Sequence, residues 1–188
     1  MVLLIVDFEQ ERWSRLMGTL INEKLIELDM EVKTKEEAIE NLAKLIHEEK
    51  KLNCVWKEDS LDKCQSCDFC SKTGFLHALH EREKSFPTAV GYSFAIPHGK
   101  CGSVKDAAIA FARLKDEVKW GEDGDEDEYV KYVFMIGVSE EAAGDEHMRI
   151  LIKLSTSILD DDFRDRLSSI NTKEEALKII SEYSDNIN

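Results

Sequence analysis

Ten consecutive residues in the second half of the chain, Tyr129–Val138, are dominated by β-forming side chains. Such a run predicts a central strand of a sheet. Segments with the apolar spacing of helices stand both before and after it in the sequence. A strand-rich middle flanked by helices restricts the fold class to α/β or α+β.

Turn signals and apolar spacing divide the rest of the chain into elements. Two capping boxes, Thr34 with Glu37 and Thr172 with Glu175, mark helix starts. In chain order the predicted elements are a helix, a break and an extended piece over 8–28, helices over about 35–50 and 74–83, a strand Tyr92–Ile96 that runs into Pro97-His98-Gly99, a strand Ala107–Leu114, an acidic turn over 121–128, a helix capped by Asp145, and a last helix after Thr172.

The chain has 188 residues, of which 43% are hydrophobic. That is enough for one domain with its own core, and since no linker or repeat divides the sequence we expect a single domain over 1–188. No apolar run approaches the ~18 residues that a membrane span needs. Met1–Val6 lacks the basic leader of a signal peptide, so we expect a cytoplasmic protein with no direct membrane insertion.

The formal net charge is -14. A surface of this sign repels nucleic-acid phosphates and anionic lipid headgroups, so nucleic acid is not expected as a partner. It suits a protein partner with a basic face, although solubility alone is the simpler explanation of the charge.

Four of the five cysteines lie in a stretch of mixed charge and few apolar residues over about 53–73, which resembles an inserted loop. Cys64, Cys67 and Cys70 form a C-x-x-C-x-x-C pattern, with Cys54 ten residues earlier. Cytosolic cysteines at such spacing are often metal ligands, so these four are the candidate metal residues for one structural zinc, with His77 or His80 as a substitute for one thiolate. An iron–sulfur cluster or free thiols remain alternatives.

His98 is the candidate reactive residue among the five histidines. Pro97 fixes the backbone before it, and Gly99 leaves the other side uncrowded. A side chain at the end of a strand is held firmly and can still face solvent. Because the unperturbed pKa of imidazole is near ~6.5, much of it is neutral and nucleophilic at cytosolic pH.

The segment from Arg82 to Gly99, REKSFPTAVGYSFAIPHG, resembles the fructose/mannitol type of enzyme IIA of the sugar phosphotransferase system. That family shows an Arg-Glu pair, a Thr six residues after the Arg, and a strand that ends in Ile-Pro-His-Gly. The resemblance runs from about Leu20 to Tyr183. His147 with Leu151 and Leu154 resembles the family's His-Leu-x-x-Leu-x-x-Leu helix, with Met148 in place of the first Leu. Trp120 stands where the family often has an aromatic residue between its middle strands.

The sequence departs from the family pattern at two kinds of position. Ala89 and Ser93 stand where glycines are usual, and a β-carbon there could narrow the approach of a phosphate or shift the turn. The cysteine-bearing insertion before Arg82 is also outside the usual pattern.

The resemblance implies a fold, a function and a site. The fold is an α/β single-domain sandwich with a mixed sheet of about five strands flanked by helices. The function is that of a phosphotransferase: His98 would accept a phosphoryl group from the phosphocarrier HPr and pass it to an enzyme IIB component in sugar uptake. Arg82, His147 and Thr88 would stabilise the phosphate charge, so that the transfer requires no cofactor.

Two rival functions share this fold. The first is a regulatory sensor of phosphorylation state that binds other proteins and feeds no transporter, and the sequence does not separate it from a transport phosphocarrier. The second is an unphosphorylated interaction domain like those attached to anion exchangers, which Arg82, His98 and His147 argue against. The sugar is chosen by other components and is not encoded here.

Overall fold

The computed structural model describes residues 20–52, 74–139 and 145–185, with the backbone alone described at 123, 145–147 and 183–185. After a short 3-10 turn (Glu23–Leu25), the elements in chain order are β1 (Ile26–Met30), α1 (Lys35–Glu48), α2 (Phe75–Ser85), β2 (Ala89–Gly91), β3 (Phe94–Ala95), β4 (His98–Lys100), β5 (Ala108–Asp123), β6 (Glu126–Val138), α3 (Asp145–Leu159), α4 (Asp161–Ser168) and α5 (Lys173–Asp185).

The six strands form one mixed sheet in the order β1-β5-β6-β3-β2, with β4 also paired to β6. β1 runs parallel to β5, and both β3 and β4 run parallel to β6, whereas β5 and β6 form an antiparallel hairpin. The predicted fold class, a mixed sheet of about five strands flanked by helices, is confirmed.

Helices cover both faces of the sheet. Phe134 and Gly137 of β6 are three residues apart and therefore point to opposite faces. The ring of Phe134 lies 6.4 Å from that of Phe163 in α4. A β-carbon at Gly137 would instead meet Phe75 of α2 at 3.0 Å, so α2 packs closely on the other face.

The strand that leads to His98 is interrupted but stays in register. Ala95 pairs with Val133 and His98 pairs with Ile136, so the same offset holds on both sides of Ile96 and Pro97. The proline has no N–H to place in the ladder, and this fits a break at that point. His98 therefore opens β4 rather than ending the strand before it.

The prediction of a strand over Tyr92–Ile96 is wrong at its start. Tyr92 and Ser93 have φ of 54° and 61°, and they form the turn between β2 and β3 together with Gly91 at φ 83°. Ser93 thus adopts the left-handed conformation that a glycine would adopt at lower cost.

The other helix and strand predictions differ mainly in length. The helix predicted over 35–50 ends at Glu48, because Lys50 is left-handed at φ 58°. β5 runs past Leu114 to Asp123, and the acidic turn shrinks to the two residues between Asp123 and Glu126. α4 was not predicted, although Asp160 caps it by accepting a hydrogen bond from Phe163 N.

Both predicted capping threonines cap their helices, although Glu37 accepts from Lys33 N instead of Thr34 N. Thr34 Oγ1 accepts from Glu37 N at 3.2 Å, and Thr172 Oγ1 accepts from Glu175 N at 3.2 Å. Glu175 also accepts from Thr172 N, which closes the second box reciprocally. Within the described ranges, no helix has the length and apolar character needed to cross a membrane.

Candidate functional site

Both ring nitrogens of His98 are held by defined partners. Nδ1 lies 2.8 Å from the carbonyl oxygen of Ile96, and Nε2 lies 3.0 Å from Arg82 Nε. A carbonyl can only accept a hydrogen bond and a guanidinium N–H can only donate one. The proton of the neutral ring is therefore on Nδ1, and the lone pair is on Nε2.

The surroundings of His98 favour this neutral form. Burial lowers the pKa of His98 below its ordinary value, and the positive charge of Arg82 lowers it further. The hydrogen bond to the Ile96 carbonyl acts in the opposite direction. At neutral pH the imidazole is consequently uncharged, with a nucleophilic Nε2.

Arg82 reaches the ring from the last turn of α2. Its Nη1 donates to the carbonyl oxygen of Phe86 at 2.7 Å, which directs the flat guanidinium towards His98. Among the described residues, none accepts a hydrogen bond from its Nη2. The guanidinium can thus offer donors to a phosphate that approaches Nε2.

Gly99 allows α2 to lie close enough for this contact. A β-carbon on Gly99 would meet Phe75 Cε2 at 3.1 Å and Leu79 Cδ2 at 3.2 Å. Leu79 is one helical turn before Arg82, so the distance between α2 and β4 fixes how far the guanidinium must reach. The glycine after the histidine therefore serves the close packing of α2 on β4.

Beside Arg82, a buried polar cluster joins α2 to the loop before β2. Glu83 and Thr88 are 5% and 4% exposed. Thr88 Oγ1 donates to Glu83 Oε2 at 2.6 Å, and Thr88 N donates to Glu83 Oε1 at 3.2 Å. Trp120 Nε1 donates to Thr88 Oγ1 at 3.3 Å, and Lys35 lies 3.5 Å from Glu83.

The sequence prediction did not foresee Glu83, because a glutamate in a helix usually faces solvent. Of the predicted site residues, the structure brings Arg82 and His98 into contact. It places the Thr88 hydroxyl in the buried cluster with Glu83. His147 lies in the first turn of α3, and its side chain is outside the described part of the chain.

The predicted metal residues Cys54, Cys64, Cys67 and Cys70 also lie outside the described residues. In the ranges that the structure covers, no three histidine, cysteine or acidic side chains gather in a way that could hold a metal ion. His80 lies 3.9 Å from Glu40 of α1. Cys101 is a buried thiol whose Sγ is 3.0 Å from Ser103 Oγ.

Three large apolar side chains that stand between Arg82 and His98 in the sequence are exposed. Phe86, Val90 and Tyr92 are 72%, 42% and 58% exposed. Phe86 is connected to the site, since its carbonyl oxygen accepts from Arg82 Nη1, whereas Tyr92 lies in the turn between β2 and β3 with Arg164 4.1 Å from the centre of its ring. A cleft of about 640 Å³ lies elsewhere, beside Lys35 and Trp120, and neither His98 nor Arg82 lines it.

Residues 19–183 match the protein family described as "Phosphoenolpyruvate-dependent sugar phosphotransferase system, EIIA 2". One curated relative is the PTS system 2-O-alpha-mannosyl-D-glycerate-specific EIIABC component of Escherichia coli, 38% identical over 109 residues. The matched region is 57% of this chain and 16% of that protein, so the chain resembles a small part of a much longer relative.

Two similar proteins match over most of their own length. The PTS system fructose-specific EIIA component of Haloferax volcanii is 36% identical over 107 residues, which are 57% of this chain and 68% of that one. A crystal structure of the nitrogen regulatory protein IIA-Ntr from Neisseria meningitidis superposes with a TM-score of 0.67 at 29% identity. That match covers 88% of this chain and 98% of the other.

Proposed function

The chain belongs to the EIIA 2 family of the phosphoenolpyruvate-dependent sugar phosphotransferase system, and we propose that it is a phosphocarrier for sugar uptake. It accepts a phosphoryl group from HPr on His98 and passes it to an enzyme IIB component. The observation that carries the proposal is the contact of Arg82 Nε with His98 Nε2 at 3.0 Å, opposite an Nδ1 that is held by a carbonyl.

The lone pair on Nε2 supports this atom as the one that receives the phosphoryl group. Its lone pair forms the new P–N bond while the bond between phosphorus and the donor atom on HPr breaks, and that electron pair stays with the donor. The proton on Nδ1 remains on the ring throughout. The positive charge that the ring gains is stabilised by the Ile96 carbonyl at 2.8 Å.

Arg82 has two tasks in this step. In the resting protein its N–H occupies the Nε2 lone pair, and it must release that lone pair when the donor arrives. The same guanidinium then donates to the phosphoryl oxygens, whose negative charge it compensates. Its anchor to the Phe86 carbonyl keeps it within reach of both positions.

His147 and Thr88 complete the proposed site. His147 is a second donor to the phosphoryl oxygens, a role supported by its place in the family's helix motif and by its position in the first turn of α3. Thr88 is the residue in the family's threonine position. Direct donation from its hydroxyl to a phosphate would require that hydroxyl to leave Glu83.

Protein partners fit this site better than a small molecule does. The exposed side chain of Phe86, whose carbonyl oxygen accepts from Arg82 Nη1, offers an apolar contact beside the site. The net charge of -14 suits partners with a basic face. We propose HPr as the donor and an enzyme IIB component as the acceptor, both using this face in turn.

No cofactor is required for the proposed transfer, because Arg82 and the ring's own hydrogen bonds supply the charge stabilisation. A structural zinc held by Cys54, Cys64, Cys67 and Cys70 would be separate from the transfer. We further propose that 1–188 is one enzyme IIA domain with an insertion at about 53–73, and that it works in the cytoplasm.

Incubation with phosphoenolpyruvate, enzyme I and HPr tests the function. One acid-labile phosphate should appear on the protein, and a matching enzyme IIB component should remove it. Protein that takes up no phosphate in this mixture would contradict the proposal. A sugar-uptake assay in cells that lack the gene then identifies the transport step that depends on it.

A regulatory role is the second candidate. It is favoured by the likeness to the IIA-Ntr nitrogen regulatory protein at 29% identity over 98% of that chain. In this case His98 would still be phosphorylated by HPr, but no enzyme IIB component would accept the phosphoryl group from it. The IIB step of the assay therefore separates the two candidates.

A further inference from the structure

We propose that Glu83 and Thr88 are positioning residues, which hold the Arg82 guanidinium and the His98 ring in the arrangement that phosphoryl transfer needs. The inference rests on the proposed function for its rate measurements, and on the geometry alone for its spectroscopic test. Neither residue touches the reacting atoms in this account.

The hydrogen bonds of Thr88 leave no proton for a ligand. A threonine hydroxyl has one proton, and here that proton lies on the bond to Glu83 Oε2 at 2.6 Å. The indole N–H of Trp120 can only donate, so it occupies an acceptor site on the same oxygen. The hydroxyl therefore has no proton left to donate to a phosphate.

Two hydrogen bonds connect the backbone of Thr88 to the His98 ring through Ile96. The carbonyl oxygen of Thr88 accepts from Ile96 N at 2.9 Å. The carbonyl oxygen of Ile96 in turn accepts from His98 Nδ1 at 2.8 Å. Two residues, Thr88 and Ile96, thus connect the Glu83 carboxylate through three hydrogen bonds to the ring nitrogen that fixes the tautomer.

The same loop is connected to the other half of the site. Arg82 Nη1 donates to the carbonyl oxygen of Phe86, two residues before Thr88. Glu83, the next residue along α2, binds both the backbone N–H and the hydroxyl of Thr88. Adjacent residues of one helix therefore bind two points of one short loop, and this sets the loop relative to the guanidinium.

The cluster is held in place from outside as well. Lys35 Nζ lies 3.5 Å from Glu83 Oε1 and donates to the carbonyl oxygen of Trp120 at 2.7 Å. These contacts tie α1 and β5 to the end of α2. A carboxylate that is 5% exposed with this set of donors is costly to leave unpaired, so the loop has few alternative positions.

Two substitutions break the Glu83–Thr88 bond from opposite ends. Thr88→Val removes the hydroxyl and keeps the shape. Glu83→Met keeps a side chain of similar length and removes both carboxylate oxygens, so the N–H and the O–H of Thr88 both lose their acceptor. Should one variant fail to fold, the other carries the test, because both break the same bond.

Two further variants supply the controls. Thr88→Ser keeps the hydroxyl and should recover most of what Thr88→Val loses. Ser157→Ala removes an equally buried hydroxyl, 3% exposed, that donates to Lys153 O within α3. It measures the effect of losing a buried hydrogen bond without disturbing the loop between Arg82 and His98.

The first measurement is the tautomer of the His98 ring, read from nitrogen-15 NMR of the unphosphorylated protein. The wild-type ring and Ser157→Ala should show the single Nδ1–H tautomer, and Thr88→Val and Glu83→Met should show a mixture. The second is the rate of transfer from phosphorylated HPr. The maximal rate should fall about tenfold or more, since small misplacements of reacting groups cost rate, while the half-saturating HPr concentration stays unchanged.

Each possible outcome either supports or overturns the positioning role. A mixed tautomer with a lower maximal rate in both variants, recovered by Thr88→Ser, supports the positioning role. An unchanged ring signal in both variants overturns it, and a rate loss confined to Thr88→Val would then make Thr88 a direct phosphate donor. If wild-type protein accepts no phosphate, the proposed function fails, and the tautomer measurement still decides this inference.

Discussion

Arg82 Nε donates to His98 Nε2 across 3.0 Å, so the group that would stabilise the phosphate already rests on the atom that would accept it. In the resting protein this hydrogen bond occupies the Nε2 lone pair, and it breaks only when a stronger acceptor for the guanidinium arrives. A phosphoryl group, with three charged oxygens, is such an acceptor for a guanidinium.

Replacement of His98 by alanine should abolish phosphorylation, because no other atom in the described site has the required lone pair. The measurement is incorporation of labelled phosphate from phosphoenolpyruvate through enzyme I and HPr. His80→Ala, on the outer part of α2, should incorporate normally. Labelling that survives in His98→Ala would remove His98 from the centre of the mechanism.

Arg82→Lys should slow the transfer by about 10²-fold, the typical cost of losing a donor aimed at developing charge. A lysine cannot hold the Phe86 carbonyl and face Nε2 at the same time. Arg113→Lys is the matched control, since Arg113 forms a two-pronged contact with Asp29 away from the site. It should lower thermal stability and leave the transfer rate unchanged, and the reverse pattern would contradict the role of Arg82.

The transfer rate should stay level as the pH falls towards 6.5 and decline only below it. The reason is that burial and Arg82 hold the pKa of His98 below its ordinary value of 6.5, so the nucleophilic form persists in more acidic solution. NMR titration of the ring against the rate profile checks this. A midpoint above 6.5 in either measurement would refute it.

The same shift predicts a stability effect. The unfolded chain binds a proton at His98 more readily than the folded chain does. The contribution of neutral His98 to the free energy of unfolding is therefore complete above about pH 6.5, and it is lost as the pH falls through the lower pKa of the folded state. His98→Gln should flatten that part of the profile. His47, whose pKa burial also lowers, supplies a similar effect that His98→Gln leaves in place.

His147→Ala should fold normally and transfer phosphate more slowly, by about 10²-fold if it donates to the phosphoryl oxygens. His77→Ala, a histidine on α2, is the control. Stopped-flow transfer from HPr measures both. Wild-type rates in His147→Ala would make it an ordinary surface residue at the start of α3.

Purified protein should contain about one equivalent of zinc if the cysteine pattern is a structural site, with Zn–S distances near ~2.3 Å. Chelation, or the joint change of Cys64 and Cys67 to Ser, should lower stability while His98 still accepts phosphate. Freely titrating thiols in metal-free protein would show an ordinary insertion. Loss of phosphorylation with the fold intact would favour the regulatory role.

The sequence was sufficient for those parts of the fold that depend on local pattern. The capping threonines Thr34 and Thr172 marked two helices correctly, and the β-forming run Tyr129–Val138 lies in a central strand. The turn at Tyr92 and Ser93 was not predicted, because tyrosine and serine rarely adopt the positive φ that both have here. Tertiary pairing of β3 with β6, rather than local preference, determines that turn.

For the site, motif spacing predicted Arg82 and His98, and the structure brings these two side chains together. The buried bond between Glu83 and Thr88 could not be predicted in the same way. A glutamate in a helix and a threonine after a proline are common at the surface, and only the packing of Trp120 and Lys35 around them makes the pair buried.

The residues on either side of the 53–73 segment are anchored in the core, and this has a practical consequence. Leu52 is buried and bridges to Val104, and Phe75, at the start of α2, is fully buried against Gly99 and Gly137. Both junctions are thus anchored independently of what joins them, and the entropy of closing a loop rises by only about 0.6 kcal/mol for each doubling of its length. Evolution could lengthen this connection at little cost, and a protein engineer could attach a fluorescent reporter or an affinity tag at the same place.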